Sequence, residues 1–291
     1  MGSGSWTRSS FINYTTSTKS GATVDSLGSI VGVNSTQDIY KQVSINKSLV
    51  PYQVMRECLD TEEHPETKPV IIALDVTGSM GDAAVEAAKK LNIIMESLYK
   101  ELIDVEFCIM GIGDLAYDRY PTQISQFESD IRIAEQMDKV YFEFGGGGNS
   151  YESYTVAWYM GARHTKLDCW KRGQKGIIIT IGDEQLNPYL PKETLAAKIG
   201  DDLQNDIDTK DLYREVSEKY DVFHIHVNHH KESIYDYKNI KPTFAKIIGD
   251  QNVVCCEEID DLAKIIIDLI INHYNGTSST SAVINQGEIS W

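Results

Sequence analysis

The chain has 291 residues, 42% of them hydrophobic, enough for a sizeable core in one large α/β domain or two small ones. Its 27 basic and 43 acidic side chains leave a formal charge of −16, which argues against nucleic acid or an anionic membrane as partner and favours a cation or a basic protein surface. No run approaches the roughly 18 apolar residues of a membrane span, and the polar start lacks the basic and apolar regions of a signal peptide, so a cytoplasmic location is expected, in the host cytoplasm if the protein is viral.

Residues 1–50 are rich in Gly, Ser, Thr and Asn, with scattered aromatics at Trp6, Phe11, Tyr14 and Tyr40. Too few apolar positions occur there for an independent core, so the segment reads as an extended arm, with a short helix near 36–43 and aromatics suited to packing. Residues 51–59 look ordered, and DTEEHPETKP at 60–69 is a polar loop. The main domain is expected over 68–274, preceded by the 1–67 arm and followed by a 275–291 tail.

The domain opens on VIIALDVTGSMG at 70–81. Its continuous apolar start is the pattern of a strand buried on both faces. It ends in Asp75, Thr77 and Ser79, one acid and two hydroxyls at alternate positions, with Gly78 and Gly81 permitting a sharp turn and close backbone approach. A helix follows over 82–102. VEFCIMGIG at 105–113 is a second buried strand ending at Asp114, and 122–127 alternates like an edge strand. A short helix over 129–139 is followed by 140–144, which leads into the run Gly145 to Gly148, then Asn149 and Ser150, before a helical pattern over 151–164. GIIITI at 176–181 is the third buried strand and runs into Gly182, Asp183 and Glu184. Helices are expected over 191–199 and 208–220, strands over 221–227 and 252–256, and a closing amphipathic helix over 260–274. Strands alternating with helices give a Rossmann-like α/β fold, a doubly wound and mostly parallel sheet with helices on both faces.

The five cysteines include no CxxC pair, and Cys108, Cys255 and Cys256 lie in apolar runs, so free buried thiols in a reducing compartment are expected. His224 and His226 alternate on a strand, with His229 and His230 just beyond. A His-x-His pair can ligate zinc, but no acid or Cys stands at ligand spacing, so these read as ordinary strand histidines.

Three loops carry the chemistry. Asp75, Thr77 and Ser79 lie in the first, Asn149 and Ser150 in the second, and Asp183 in the third. In a doubly wound sheet, ligand sites form at the carboxyl ends of the strands, and hard cations such as Mg2+ take oxygen ligands while keeping waters. The bland alternative has Asp75 capping the next helix and the hydroxyls satisfying turn backbone.

This constellation resembles the metal-ion-dependent adhesion site of von Willebrand factor A-type domains, whose pattern is Asp-x-Ser/Thr-x-Ser, a Thr after Gly-Gly, and an Asp ending the fourth strand. DVTGS at 75–79 matches fully. GGGGNS at 145–150 matches in shape, with Asn149 or Ser150 in place of Thr, and TIGDE at 180–184 offers Asp183. More narrowly, GSGSW, RECLDTEEHP, RYPTQISQFESDIRIAEQ and GGGGNSYESYTVAWY look like a group of bacterial and phage proteins with such domains. The resemblance implies a non-enzymatic protein-binding module. Asp75, Thr77, Ser79 and Ser150 would hold Mg2+ or Mn2+ directly or through water, with Asp183 one water removed. A carboxylate from a partner protein would complete the coordination, and an AAA+ ATPase is a partner class the family implies. Asn149 would stand close behind the ligands, Asp114 either stands there too or is a turn residue, and Glu152 either joins them or caps the helix after it.

Two rivals remain at this stage. DVTGS and GDE also resemble haloacid-dehalogenase-like phosphatases, with Asp75 as the nucleophile and Asp183 holding Mg2+, although the second Asp of their Asp-x-Asp and a matching Lys are missing. The loop-two departure from Thr allows a structural or assembly protein with a degenerate metal site. A nucleotide site is not supported, since neither GK[ST] nor a GxGxxG after a strand occurs.

Overall fold

The computed structural model describes residues 4–143 and 149–276. Its centre is a six-stranded sheet. The strands are β1 (Lys68–Asp75), β2 (Val105–Ile112), β3 (Thr122–Ile124), β4 (Gly176–Gly182), β5 (Tyr220–Val227) and β6 (Val253–Cys256), in the order β6-β5-β4-β1-β2-β3. All pairings are parallel except β2 with the edge strand β3.

The apolar runs are continuous because both faces of each strand are covered. Val70, Ile72 and Leu74 of β1 face one core together with Ile177, Ile179 and Ile181 of β4, while Ile71 and Ala73 face the other with Ile178. The first core lies under helices α2 (Gly81–Lys89), α3 (Leu91–Glu101) and α7 (Leu262–Tyr274). The second lies under α4 (Thr155–Arg163), α5 (Thr209–Val216) and α6 (Tyr237–Ile248). This is the doubly wound, Rossmann-like arrangement expected from the pattern.

The helix expected over 82–102 is two helices, because Lys90 leaves helical geometry at φ −94° and ψ 7°. The helical pattern over 151–164 begins only at Thr155. Tyr151–Glu152 is instead a short strand in parallel register with Gln185–Leu186, and Asn149 Oδ1 accepts the Tyr151 amide at 2.8 Å. Two helices are additional to the expected set, α1 (Arg8–Thr18) in the arm and α6. The expected helix near 36–43 is confined to Thr36–Ile39, opened by a Ser35/Asp38 capping box.

The described part of the arm up to Leu49 lies on the α2/α3 face, whereas Arg56–Cys58 pairs in parallel with Thr165–Leu167 and puts Cys58 in the second core. Trp6 stacks on Phe11 with ring centroids 5.3 Å apart, and its Nε1 donates to Asn92 Oδ1 at 2.9 Å. Tyr40 donates to the Ala84 carbonyl at 3.0 Å. At the far edge of the sheet, His64 sets Nδ1 against Asp104 Oδ1 and Nε2 against the Gly4 carbonyl, each at 3.1 Å. All five cysteines are free, and four are buried. The run from Gly145 to Gly148 and the tail from 277 onward lie outside the described residues.

Candidate functional site

In chain order the sheet grows from β1 through β2 to β3 on one side, then from β4 through β5 to β6 on the other. The reversal therefore falls between β1 and β4, the position where open α/β sheets form their crevice. Asp75 is the last residue of β1, and Asp183 directly follows β4.

Asp75 is fully buried. Its Oδ1 accepts from the Thr77 amide at 2.9 Å and from Thr77 Oγ1 at 2.7 Å, so it ties the turn rather than capping α2, which has no side-chain cap. Its Oδ2 accepts from the Tyr154 hydroxyl at 3.0 Å. Ser79, on the 3-10 turn Gly78–Met80, donates from Oγ to Asp183 Oδ1 at 3.2 Å. The first and third loops thus meet across the switch point.

The second loop arrives through Asn149, whose Nδ2 donates to Asp114 Oδ2 at 2.7 Å. Asp114 also accepts the Ala116 amide at 2.8 Å, and its own amide donates to Asp118 Oδ2 at 2.7 Å. Ser150 is half-buried at the head of the Tyr151–Glu152 strand, beside the Asp183 loop, and among the described residues makes no hydrogen bond to Asp75, Thr77, Ser79 or Asp183. Glu152 does not cap α4, which has no side-chain cap. It is buried, with Oε2 lacking a hydrogen-bond partner among the described residues.

These carboxyls strain against burial and one another. Burial, then the charge of Asp183, pushes Asp75 up to about 7. Burial, followed by Asp75, Glu184, Asp118 and Asp114, pushes Glu152 up to about 11. Glu184 rises to about 8, from burial and then Asp183 and Asp75. Burial raises Asp183 too, against the pull of Ser79, His229 and His230. The exposed His230 sets its Nε2 3.6 Å from Asp183 Oδ2.

Sequence reasoning missed Tyr154, Glu184 and Asp118. Tyr154 is the most consequential, since it is fully buried, donates to Asp75, and accepts the Glu184 amide at 3.2 Å. Gly182 makes room for it, because a Cβ there would stand 2.0 Å from the Tyr154 hydroxyl oxygen.

The donor set is all oxygen, from carboxylates and hydroxyls, and suits a hard divalent cation. Among the described residues no three His, Cys, Asp or Glu side chains come together as metal ligands, so such a site would depend on the Thr77 and Ser79 hydroxyls. His224 and His226 contribute nothing to it. They are fully buried on the α6 face of β5, where His224 stacks on Phe244 with centroids 3.6 Å apart.

No protein-family model matches the chain, and no curated protein is similar to it in sequence. Similar solved structures include the pilus adhesin SpaC from Lactobacillus rhamnosus GG in its open conformation, at 12% identity and a TM-score of 0.48, covering 71% of this chain and 30% of the adhesin. Another is proximal thread matrix protein 1 from the mussel byssus, at 14% identity and 0.44, covering 75% and 47%. A third is the conserved hypothetical protein BatB from Bacteroides thetaiotaomicron, at 15% identity and 0.42, covering 72% and 99%. The chain therefore spans under a third of the adhesin's length and about half that of the byssus protein. Among the described residues no helix is long and apolar enough to cross a membrane.

Proposed function

We propose that this chain is a von Willebrand A-type module that binds a protein partner through a divalent cation, Mg2+ or Mn2+, at the β1/β4 switch point. The observation that carries the reading is the meeting of the Asp75–Ser79 loop with Asp183, through Ser79 Oγ at 3.2 Å from Asp183 Oδ1. Two largely desolvated carboxylates beside several more acids form a site that a cation would relieve.

In this reading Asp75 and Asp183 supply the negative charge, and Thr77 and Ser79 add neutral oxygens whose lone pairs remain free while they donate to the carboxylates. Ser150 completes the second loop. Tyr154 and Thr77 hold the Asp75 carboxylate in orientation, and the Asn149–Asp114 bond fixes the second loop against the turn that follows β2. A divalent cation held there would supply an electrophilic centre for a carboxylate of the partner.

The test is calorimetric titration of Mg2+ and Mn2+ into wild type and Asp75→Ala, with thermal unfolding in Mg2+ and in EDTA. Binding of one ion that is lost in the variant is expected. A wild-type protein that binds neither ion, with a melting temperature indifferent to EDTA, would overturn the reading.

A further inference from the structure

We propose that the surface beside these loops recognises a second acidic side chain of the partner, so that the partner presents an acidic segment rather than a single carboxylate. The inference rests on the metal-dependent reading above. The receiving site is a cleft of about 230 Å3 whose lining includes Tyr151, Gln185, Pro188, Lys210, Thr243 and Lys246.

Its place is set by the short ladder that pairs Gln185 with Tyr151. Gln185 is two residues beyond Asp183, and Tyr151 is one beyond Ser150, so the ladder carries the candidate ligands at one end and the cleft at the other. At roughly 3.3 Å of rise per residue, the cleft begins about 7 Å along the chain from Asp183. An extended peptide covers that span in two residues, so an acid at the metal loops places the side chain two or three positions on over the cleft.

The charge of the cleft is opposite to that of the loops. Lys210 and Lys246 are exposed, and neither is in an ion pair among the described residues. The one carboxylate lining the cleft, Asp208, is engaged as the cap of α5, where its Oδ1 accepts the Lys210 amide at 2.8 Å. The amino-terminal end of α5 opens on the same space and adds to its positive potential. Tyr151, 40% exposed, offers an aromatic rim. In a protein of charge −16, a locally cationic cleft next to a carboxylate-rich edge discriminates by sign. A partner with a basic residue two positions from its coordinating acid would meet two lysines, whereas an acidic one would pair with them.

The test uses two fluorescein-labelled peptides, GGDGGGG and GGDGEGG, and fluorescence anisotropy with the full chain in Mg2+. The second peptide is expected to bind about fivefold to tenfold more tightly, the scale of one or two solvent-exposed ion pairs. The double variant Lys210→Gln/Lys246→Gln, altered only at exposed positions, should erase that difference while changing GGDGGGG binding by less than about twofold at about 0.15 M salt, where charges beyond a Debye length are screened. Equal affinities in wild type, or a preference that survives in the double variant, would overturn the cleft. A parallel calorimetric Mg2+ titration separates the two failures: with Mg2+ bound and the peptides indistinguishable, the cleft alone fails, whereas with neither Mg2+ nor peptide bound, the metal-dependent reading fails and takes the cleft with it.

Discussion

Replacing Asp75 by Asn should stabilise the metal-free protein above neutral pH. Asp75 is fully buried, and burial followed by Asp183 moves its carboxyl from 3.8 to about 7. At roughly 1.36 kcal/mol per pH unit, that is a cost of up to about 4 kcal/mol for the ionised form in the folded state. The folded protein holds this proton more tightly than the unfolded chain does. The associated stability is therefore complete below about pH 4 and is lost as pH rises through about 7. Asn removes the charge but not the shape. It also turns an acceptor into a donor opposite the Tyr154 hydroxyl, which donates to Oδ2 at 3.0 Å, at a cost of about 1–2 kcal/mol. The net expectation at pH 8 in EDTA is a gain of about 2 kcal/mol, or roughly 4–8 °C in melting temperature for a chain of this size. At pH 4 the gain should vanish or reverse. Saturating Mg2+ should invert the ranking, because a ligand at a hundred times its dissociation constant stabilises wild type by about 2.7 kcal/mol and the variant by little. Differential scanning fluorimetry of both proteins, at pH 4, 6 and 8 with EDTA or Mg2+, reads all of this. An Asp75→Asn protein that is less stable than wild type at pH 8 in EDTA would refute the electrostatic account, and an equal Mg2+ gain in both would refute the ligand role.

Gly182→Ala should remove Mg2+ binding without touching a candidate ligand, since its Cβ would displace the Tyr154 hydroxyl that orients Asp75; calorimetry should show the loss, alongside about 2–3 kcal/mol of destabilisation from overpacking in urea unfolding. Trp6→Ala should cost about 3–5 kcal/mol, because the indole is buried against Phe11 and bonded to Asn92; a urea midpoint close to wild type would mean that the arm adds nothing to the fold. His226→Leu should flatten the acid side of the stability profile. Burial pushes His226 down to about 4, so the stability tied to its neutral form is present above about 6.5 and lost as pH falls through 4, a change of roughly 3 kcal/mol, and urea midpoints from pH 7 to 4 should separate the variant from wild type by about that amount.

The sheet was legible because its strands are buried on both faces, which writes them as unbroken apolar runs such as VIIAL and GIIITI. Elements covering it from outside were harder to see. Helix α6 carries Pro242 in its interior, a residue that ordinarily argues for a helix boundary. Its buried positions Ile240, Phe244 and Ile248 nevertheless recur every four residues, and that spacing was the available signal. The arm helix Arg8–Thr18 reads RSSFINYTTST, a poor helix former by propensity. Beyond the local Thr7 cap on the Ser10 amide, what holds it is tertiary: Phe11 is buried in the first core, Trp6 Nε1 donates to Asn92 and the Tyr14 hydroxyl donates to Asp138.

The site divides in the same way, between what one segment encodes and what only the assembled fold brings together. Asp75, Thr77 and Ser79 share one turn, and Asp183 ends a recognisable strand, so their residue types and positions announce them. Tyr154 belongs to no such motif. It reaches Asp75 from the start of α4, on the other side of the sheet from α2, through the space that Gly182 leaves. Glu152 looked like a helix cap because a helix follows it, but the Gln185–Leu186 pairing turns its segment into a strand and buries the carboxyl among Asp75, Glu184, Asp118 and Asp114. That convergence has an energetic consequence which no single motif reveals. Each acid raises its neighbours, so occupation of the site by a cation would act on the whole group at once and not on Asp75 and Asp183 alone. Uptake of a divalent ion near neutral pH should therefore release protons from groups that are not ligands, and the number released, read from the dependence of binding enthalpy on buffer ionisation, measures how many of these carboxyls the site couples.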